Sequence, residues 1–212
     1  MKILTTLTGP SCAGKSTLEA MLVERGCLKA VSTTTRTPRA GEKEGVDYYF
    51  VDKSEFKRLQ VQGAFIESVQ FGEHYYGVSV MELKRLWAKG DHVILVCEPI
   101  GAKQIRAWAA NRPDVYLRQV FVDNPTSVIR DRFLRRFYED MRDAAALGTR
   151  GATAKVLDSY SKRLTIMQTT EKGWIAEAYG TPIGTLYDII IERFDESNAT
   201  VIAHDIAHCI PA

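Results

Sequence analysis

The octapeptide GPSCAGKS, Gly9 to Ser16, has the spacing G-x-x-x-x-G-K-[ST]. Residues of these types in this order make a phosphate cradle. Glycine at Gly9 and Gly14 lets the backbone turn several N–H groups inward onto phosphate oxygens. Lys15 reaches the β- and γ-phosphates, and Ser16 supplies a hydroxyl to Mg²⁺. Ser11, Cys12, Ala13 and Thr17 complete the nucleoside-triphosphate loop and the turn after it. A second chemical group follows. Arg36 and Arg39 stand three apart around Thr37 and Pro38, with Tyr48 and then Tyr76 further on. A planar guanidinium grips phosphate bidentately and stays charged, and a phenol adds a neutral hydrogen bond. Together they have the chemistry of a clamp for a second anion facing the first. Glu67, in the otherwise apolar AFIE, is a carboxylate able to accept from adjacent ring N–H and amino groups, as guanine presents them.

These residues need elements to hold them. KILTTLTG reads as a strand running into the loop, and KSTLEAMLVERG as the helix leaving it, closed by Gly26. DYYFV and AFIESVQF read as strands separated by the helix KSEFKRLQVQG, and SVMELKRLWAKG as a further helix. HVILVC is an apolar run of the kind a parallel sheet buries. GAKQIRAWAA then reads as helix, VYLRQVFV as strand, and Pro125 as the opening of a basic helical stretch interrupted near LGTRGAT. YDIII is a last strand, and a final helix is expected after Asn198 as its N-cap. The alternation predicts an α/β, three-layer P-loop fold with a parallel central sheet. Residues 32–80 break it and are expected to form an inserted α+β subdomain.

With 212 residues, 45% hydrophobic and 25% charged, the chain has the composition of one soluble domain with ordinary core content. A net charge of +2 gives no field that argues for nucleic acid or membrane. Cys12, Cys27, Cys97 and Cys209 show no CxxC pairing and read as free thiols in a reducing, cytoplasmic setting. No apolar run approaches the ~20 residues that span a bilayer. His204 and His208 share a helix face but lack a third metal ligand. A monomer or homodimer is expected.

GPSCAGKST, STTTRTPRAGEKEGVDYYFV, GAFIESVQFGEHYYGVS and SKRL, in this order, resemble the guanylate kinase family. The likeness is close to about residue 90 and looser beyond. It implies transfer of phosphoryl from ATP to (d)GMP with Mg²⁺, in a core of residues 1–31, 81–130 and 180–212 with a monophosphate-binding subdomain at 32–80 and a helical lid at about 131–179. It implies that Ser32 lies near the base and that Arg36, Arg39, Tyr48 and Tyr76 bind the acceptor phosphate. It further implies that Glu67 reads guanine N1 and N2, and that Lys15 and Arg163 act on the phosphates. Departures are visible. Val78 stands where the family has a hydroxyl for guanine O6, with Ser79 one place on. The acidic pair after the central strand reads Val96-Cys97-Glu98, which leaves Glu98 to carry metal or acceptor contacts. Glu192 replaces an asparagine after the last strand. The lid is longer by roughly a dozen residues, and Arg132, Arg135, Arg136, Arg142 and Arg150 compete as its second arginine. Arg150 is favoured and Arg136 follows. Two other functions compete: a kinase for another or a broader set of nucleoside monophosphates, and a non-catalytic interaction module of the same fold. The whole phosphate loop argues against the module. A phosphorylated-sugar acceptor is disfavoured by Glu67, since a sugar has no base to read.

Overall fold

A computed structural model describes residues 1–39, 41–180 and 186–208, with Arg150 described by its backbone alone. β1 (Lys2–Thr8) is central and almost wholly buried, as a strand covered on both faces must be. α1 (Lys15–Glu24) follows it directly and ends in a turn with Gly26 at φ +90°. β2 (Leu28–Lys29) and β3 (Ser32–Thr34) come next, then β4 (Tyr48–Phe50), α2 (Lys53–Val61), β5 (Phe65–Phe71), β6 (His74–Ser79) and α3 (Val80–Trp87). β7 (His92–Val96), α4 (Pro99–Ala109) and β8 (Val115–Val122) return to the core. α5 (Thr126–Ala146) and α6 (Arg150–Ile166) form a hairpin. A π-helical turn, Met167–Glu171, leads into α7 (Lys172–Gly180), and β9 (Ile189–Ile191) and α8 (Ala199–His208) finish the chain.

Two sheets result. The larger has the order β2-β7-β1-β8-β9 and is parallel throughout. One face packs Leu7 and Val120 against Leu18 and Leu22 of α1 and Ala203 and Ile206 of α8. The other packs Leu4, Val93 and Leu95 against Leu83 and Leu86 of α3 and Ile105 of α4. This is the three-layer α/β arrangement expected from the alternation. β1 has neighbours on both sides, so the loop after it opens into the crevice at the carboxyl ends of the strands, where such sheets bind ligands.

The smaller sheet, β4-β3-β6-β5, runs from Ser32 to Ser79. α2 covers one face: Phe56 stacks on Phe65 at 4.6 Å and on Tyr75 at 5.6 Å between ring centroids. Each such pair contributes about 0.5–1.5 kcal/mol beyond area burial. β3 and β4 have three residues each and carry no apolar run of their own. β6 pairs with β5 across the two-residue turn Gly72-Glu73, where φ is +61° at Gly72. A bulge lies between Phe65 and Glu67. It switches the alternation, so Phe65 faces α2 while Glu67 faces the opposite way.

Two expected helix starts differ in detail. Pro125 sits at the N-cap of α5, not within its first turn. Asn198 precedes α8, but its carboxamide turns back to Asp195 N–H and the Arg193 carbonyl, so the cap is a turn and not a hydrogen bond into the helix. Cys12, Cys27 and Cys97 are free thiols; Cys209 lies outside the described residues. Among the described residues no helix is long and apolar enough to cross a membrane.

Candidate active site

The phosphate loop follows from backbone constraints. Gly9 has φ +142°, and a Cβ there would meet the Val122 carbonyl oxygen at 2.0 Å, so only glycine fits against β8. Gly14 starts α1 from a left-handed conformation at φ +106°. That aims the first-turn N–H groups of Lys15, Ser16 and Thr17 into open space, where they favour an anion. Asn124, not singled out from the sequence, and Arg132, one of the candidate lid arginines, hold the loop from behind. Asn124 Nδ2 donates to the Ala13 carbonyl at 2.7 Å. Arg132 Nη1 donates to Cys12 and Ala13 carbonyls, and its Nη2 to the Phe194 carbonyl at 2.6 Å. Arg132, with its guanidinium committed to three carbonyls, is a brace.

A cavity of about 690 Å³ lies over the loop. Ser11, Cys12, Gly14, Lys15, Ser16 and Thr17 line it, while Ala13 is buried beneath. Arg135, Arg136 and Arg163 enter it from the α5–α6 hairpin. Arg163 lies over the Tyr160 ring at 5.1 Å, and the Tyr160 hydroxyl donates to Asp140 at 2.6 Å. Arg150 is a different case. Its backbone opens α6, its side chain lies outside the described residues, and the continuous helix puts about 20 Å of axis between it and Arg163. Of the sequence candidates for a second lid arginine, Arg132, Arg135 and Arg136 line this cavity. Asp195, Glu196 and Thr200 line the far end, whereas Glu192 does not.

A second cavity, about 280 Å³, adjoins the first and shares Ser11 and Lys15 with it. Gly9 lines this one and not the donor side. Ser32, Tyr48, Glu67 and Tyr76 line it from the small sheet, Val96, Cys97 and Glu98 from the core, and Glu171 and Trp174 from the lid region. Glu67 is 5% exposed and accepts from the Val78 N–H at 2.9 Å. Gly101 of α4 allows this approach, because a Cβ there would sit 2.8 Å from Glu67 Oε2. Burial pushes the Glu67 carboxyl up to about 7, against the Val78 hydrogen bond and with the help of the Glu98 charge. Glu98 rises to about 7 by burial too, although Lys15 pulls it down. Lys15 turns its ammonium inward onto the Gly9 and Pro10 carbonyls, at 2.7 and 2.8 Å. Burial lowers it to about 8, offset in part by the Glu171 and Glu98 charges.

Val78 is not where the sequence suggested. It shares a sheet face with Tyr76, but at the end that packs on the core: its side chain is fully buried among Ile66, Leu83 and Leu86 and does not line the cavity. Ser79 does not replace a base-reading hydroxyl, because its Oγ caps α3 by accepting from Glu82 N–H at 3.0 Å. Arg36 and Arg39 also stand outside the cavity lining. The Arg36 guanidinium pairs with Glu42 at 2.7 Å and lies over the Tyr48 ring at 5.3 Å, next to Tyr76. Arg39 is exposed, and its N–H donates to Glu42 at 2.8 Å. One carboxylate thus pins the arginine loop at the cavity mouth. Among the described residues no three His, Cys, Asp or Glu gather into a metal cluster.

The comparisons with known proteins agree with this geometry. The family model described as guanylate kinase matches residues 2–166. A guanylate kinase of Sphingopyxis alaskensis is 32% identical over 99% of this chain and 92% of its own length. One from Trichormus variabilis is 36% identical over 72% of this chain and 75% of its own. The crystal structure of guanylate kinase from Anaplasma phagocytophilum superposes with a TM-score of 0.59 at 26% identity, over 97% of this chain and 82% of that one. A phosphate loop facing a small-sheet cavity floored by a buried glutamate, with a family model spanning most of the chain, places it in the guanylate kinase family.

Proposed function

We propose that this chain transfers the γ-phosphoryl group of ATP to GMP or dGMP, giving ADP and the nucleoside diphosphate. The observation that carries the reading is the pair of cavities meeting at Ser11 and Lys15. An acceptor-phosphate oxygen attacks the γ-phosphorus in line, and the bond to the bridging oxygen of the β-phosphate breaks as ADP leaves. The nucleophile is already an anion, so the protein's work is positioning, charge neutralisation and water exclusion.

Roles follow by residue. The loop N–H groups and Lys15 hold the donor. Tyr48 and Tyr76, with Arg36 and Arg39 swung from Glu42, hold the acceptor phosphate. Glu67, as a carboxylate, accepts from the base, and Ser32 and Glu98 lie along the same cavity. Arg163 with Arg135 or Arg136 covers the transferring group. Region 32–80 then serves as the monophosphate-binding subdomain and region 131–179 as the lid.

The donor set fits Mg²⁺ arriving with ATP: Ser16 offers one hydroxyl, and Mg²⁺ keeps waters and phosphate oxygens instead of a protein cage. When bound, it neutralises charge developing on the β- and γ-phosphates. Glu98 is the nearby carboxylate available to its water shell in place of the acid missing at Val96. The free cysteines support a cytoplasmic setting.

The test is a coupled ADP-release assay with ATP and Mg²⁺ against GMP, dGMP, AMP, dAMP, CMP, dTMP and UMP singly. Turnover confined to GMP and dGMP is expected. Turnover with several bases would move the assignment to a broader monophosphate kinase, and none with any acceptor would return the interaction module.

A further inference from the structure

The π-helical turn Met167–Glu171 sits where α6 passes into α7. Such turns insert one residue into a helix and recur at functional sites. This one sends Glu171 into the phosphate loop. Ser11 N–H donates to Glu171 Oε2 at 2.9 Å, and Ser11 Oγ donates to Oε1 at 2.6 Å. Glu171 is 3% exposed. Its charge is felt by Lys15 and by Glu98.

A buried carboxylate beside two cavities proposed to take phosphates works against anion binding unless it holds something in place. What it holds is visible from its neighbours. Ser11 lines both cavities. Arg163 lies eight residues before Glu171 on the same helical rod, about 12 Å along the axis. Arg163 lines the donor cavity, and Glu171 lines the acceptor cavity. The rod therefore crosses the boundary between the cavities, and Ser11 is where it is fastened to the loop.

We propose that Glu171 is a positioning residue: its two-oxygen clamp on Ser11 ties the phosphate loop to the rod that carries Arg163, so loop and guanidinium meet the transferring phosphoryl group in fixed register. This rests on the kinase reading above. Misplacing a group by about 1 Å can lower a rate about 10²-fold, whereas ground-state binding changes little.

The experiment measures kcat, both KM values, ATP affinity by calorimetry and the melting temperature for Glu171→Ala, Glu171→Gln, Ser11→Ala and the double alanine variant. Glu171→Ala is expected to lose about 10²-fold in kcat with ATP affinity changed by less than about 3-fold. Glu171→Gln, which keeps the shape and one acceptor, is expected to lose less and to fold even if the alanine variant does not. The double variant should be no worse than the worse single one, as for two ends of one contact. Additive losses, or unchanged kcat in Glu171→Gln and Ser11→Ala, overturn the proposal. So does a tenfold gain in ATP affinity at undiminished kcat, which would make Glu171 a plug in the anion site. Wild-type turnover of GMP is the control: its absence sinks the kinase reading, while its presence beside undiminished variants sinks only the clamp.

Discussion

The donor and acceptor cavities share Ser11 and Lys15 but are built in opposite ways. The donor cavity is large and basic, walled by the phosphate loop with α1, by the α5–α6 hairpin and by the segment from Phe194 to Thr200, with Arg135 and Arg136 exposed on its rim. Its chemistry is charge, and charge tolerates loose placement. The acceptor cavity is less than half the size and floored by a buried carboxylate. Besides the shared loop it draws on the small sheet, on Val96 to Glu98 and on Glu171 with Trp174. Its chemistry is shape and hydrogen bonding, and both need backbone features: the bulge before Glu67 and the missing Cβ at Gly101. The difference predicts that donor-side substitutions act through rate, and acceptor-side substitutions through substrate choice and stability.

Lys15→Met breaks both sides at once, because this residue is common to them. We expect a kcat loss of about 10³-fold or more, the effect of removing a transition-state donor from a closed site. The fold should survive, since Lys15 bonds only to two loop carbonyls. Rapid-quench turnover with circular dichroism on the same sample checks this, and measurable wild-type-like turnover would unseat the donor assignment.

Glu67→Gln separates the sides. The carboxamide keeps an acceptor for the Val78 N–H but presents an amide to the base. We expect kcat/KM for GMP to fall about 10²-fold, the size of effect when a buried polar partner is left unmatched, with ATP binding unchanged. The stability prediction has the opposite sign. The Glu67 carboxyl is raised from 4.5 to about 7, so its contribution to the folded state is full below pH 4.5 and is lost as pH rises through 7. At pH 8 the variant should therefore be the more stable protein by up to roughly 3 kcal/mol, read from urea unfolding. A less stable variant at that pH would mean that Glu67 is held charged at no cost.

The pH profile gives the same comparison without mutation. Glu67 must be ionised to accept from guanine, so kcat/KM for GMP should fall as pH drops through about 7. Lys15 must be protonated, so kcat/KM for ATP should fall as pH rises through about 8. Each limb approaches tenfold per pH unit. Matching limbs for the two substrates would show that one group governs both cavities.

On the donor side, Arg136→Ala or Arg135→Ala should lower kcat by about tenfold to a hundredfold, and Arg150→Ala by less than about twofold. Steady-state kinetics on the three variants decides which arginine joins Arg163. A large effect at Arg150 alone would require the α5–α6 hairpin to fold over by far more than a hinge.

The sequence was informative where the chemistry is contiguous. The phosphate loop is eight adjacent residues whose conformation is dictated by glycine and by the strand before it. The parallel sheet was legible from the apolar run HVILVC and from the alternation of strands with helices. What was not legible involves contacts across long separations. Asn124 and Arg132 reach the loop over more than a hundred residues, and Glu171 over 160. Nothing in TTEKGW marks its glutamate; only the π turn aims it. Arg150 was favoured because it precedes Gly151 and lies about a helix-length before Arg163; the helix between them is there, while the Arg150 side chain lies outside the described residues. Glu67 was found by its chemistry, but the bulge that aims it has no signature in AFIESVQF.

Val78 tests the limits of the family likeness, and its expected effect on activity is the smallest. That likeness puts it in the base site, where valine would leave a polar edge unpaired. The sheet face is continuous, but what covers it changes along β6: cavity at Tyr76, core at Val78. Val78→Thr would restore the family hydroxyl in a nearly isosteric side chain. If Val78 read the base, KM for GMP should improve severalfold. With the side chain buried among Ile66, Leu83 and Leu86, the hydroxyl instead enters an apolar cluster without a partner, which costs about 1–3 kcal/mol. We therefore expect KM for GMP within about twofold of wild type and a lower urea midpoint at unchanged slope, the signature of lost packing in a fold that otherwise stays the same.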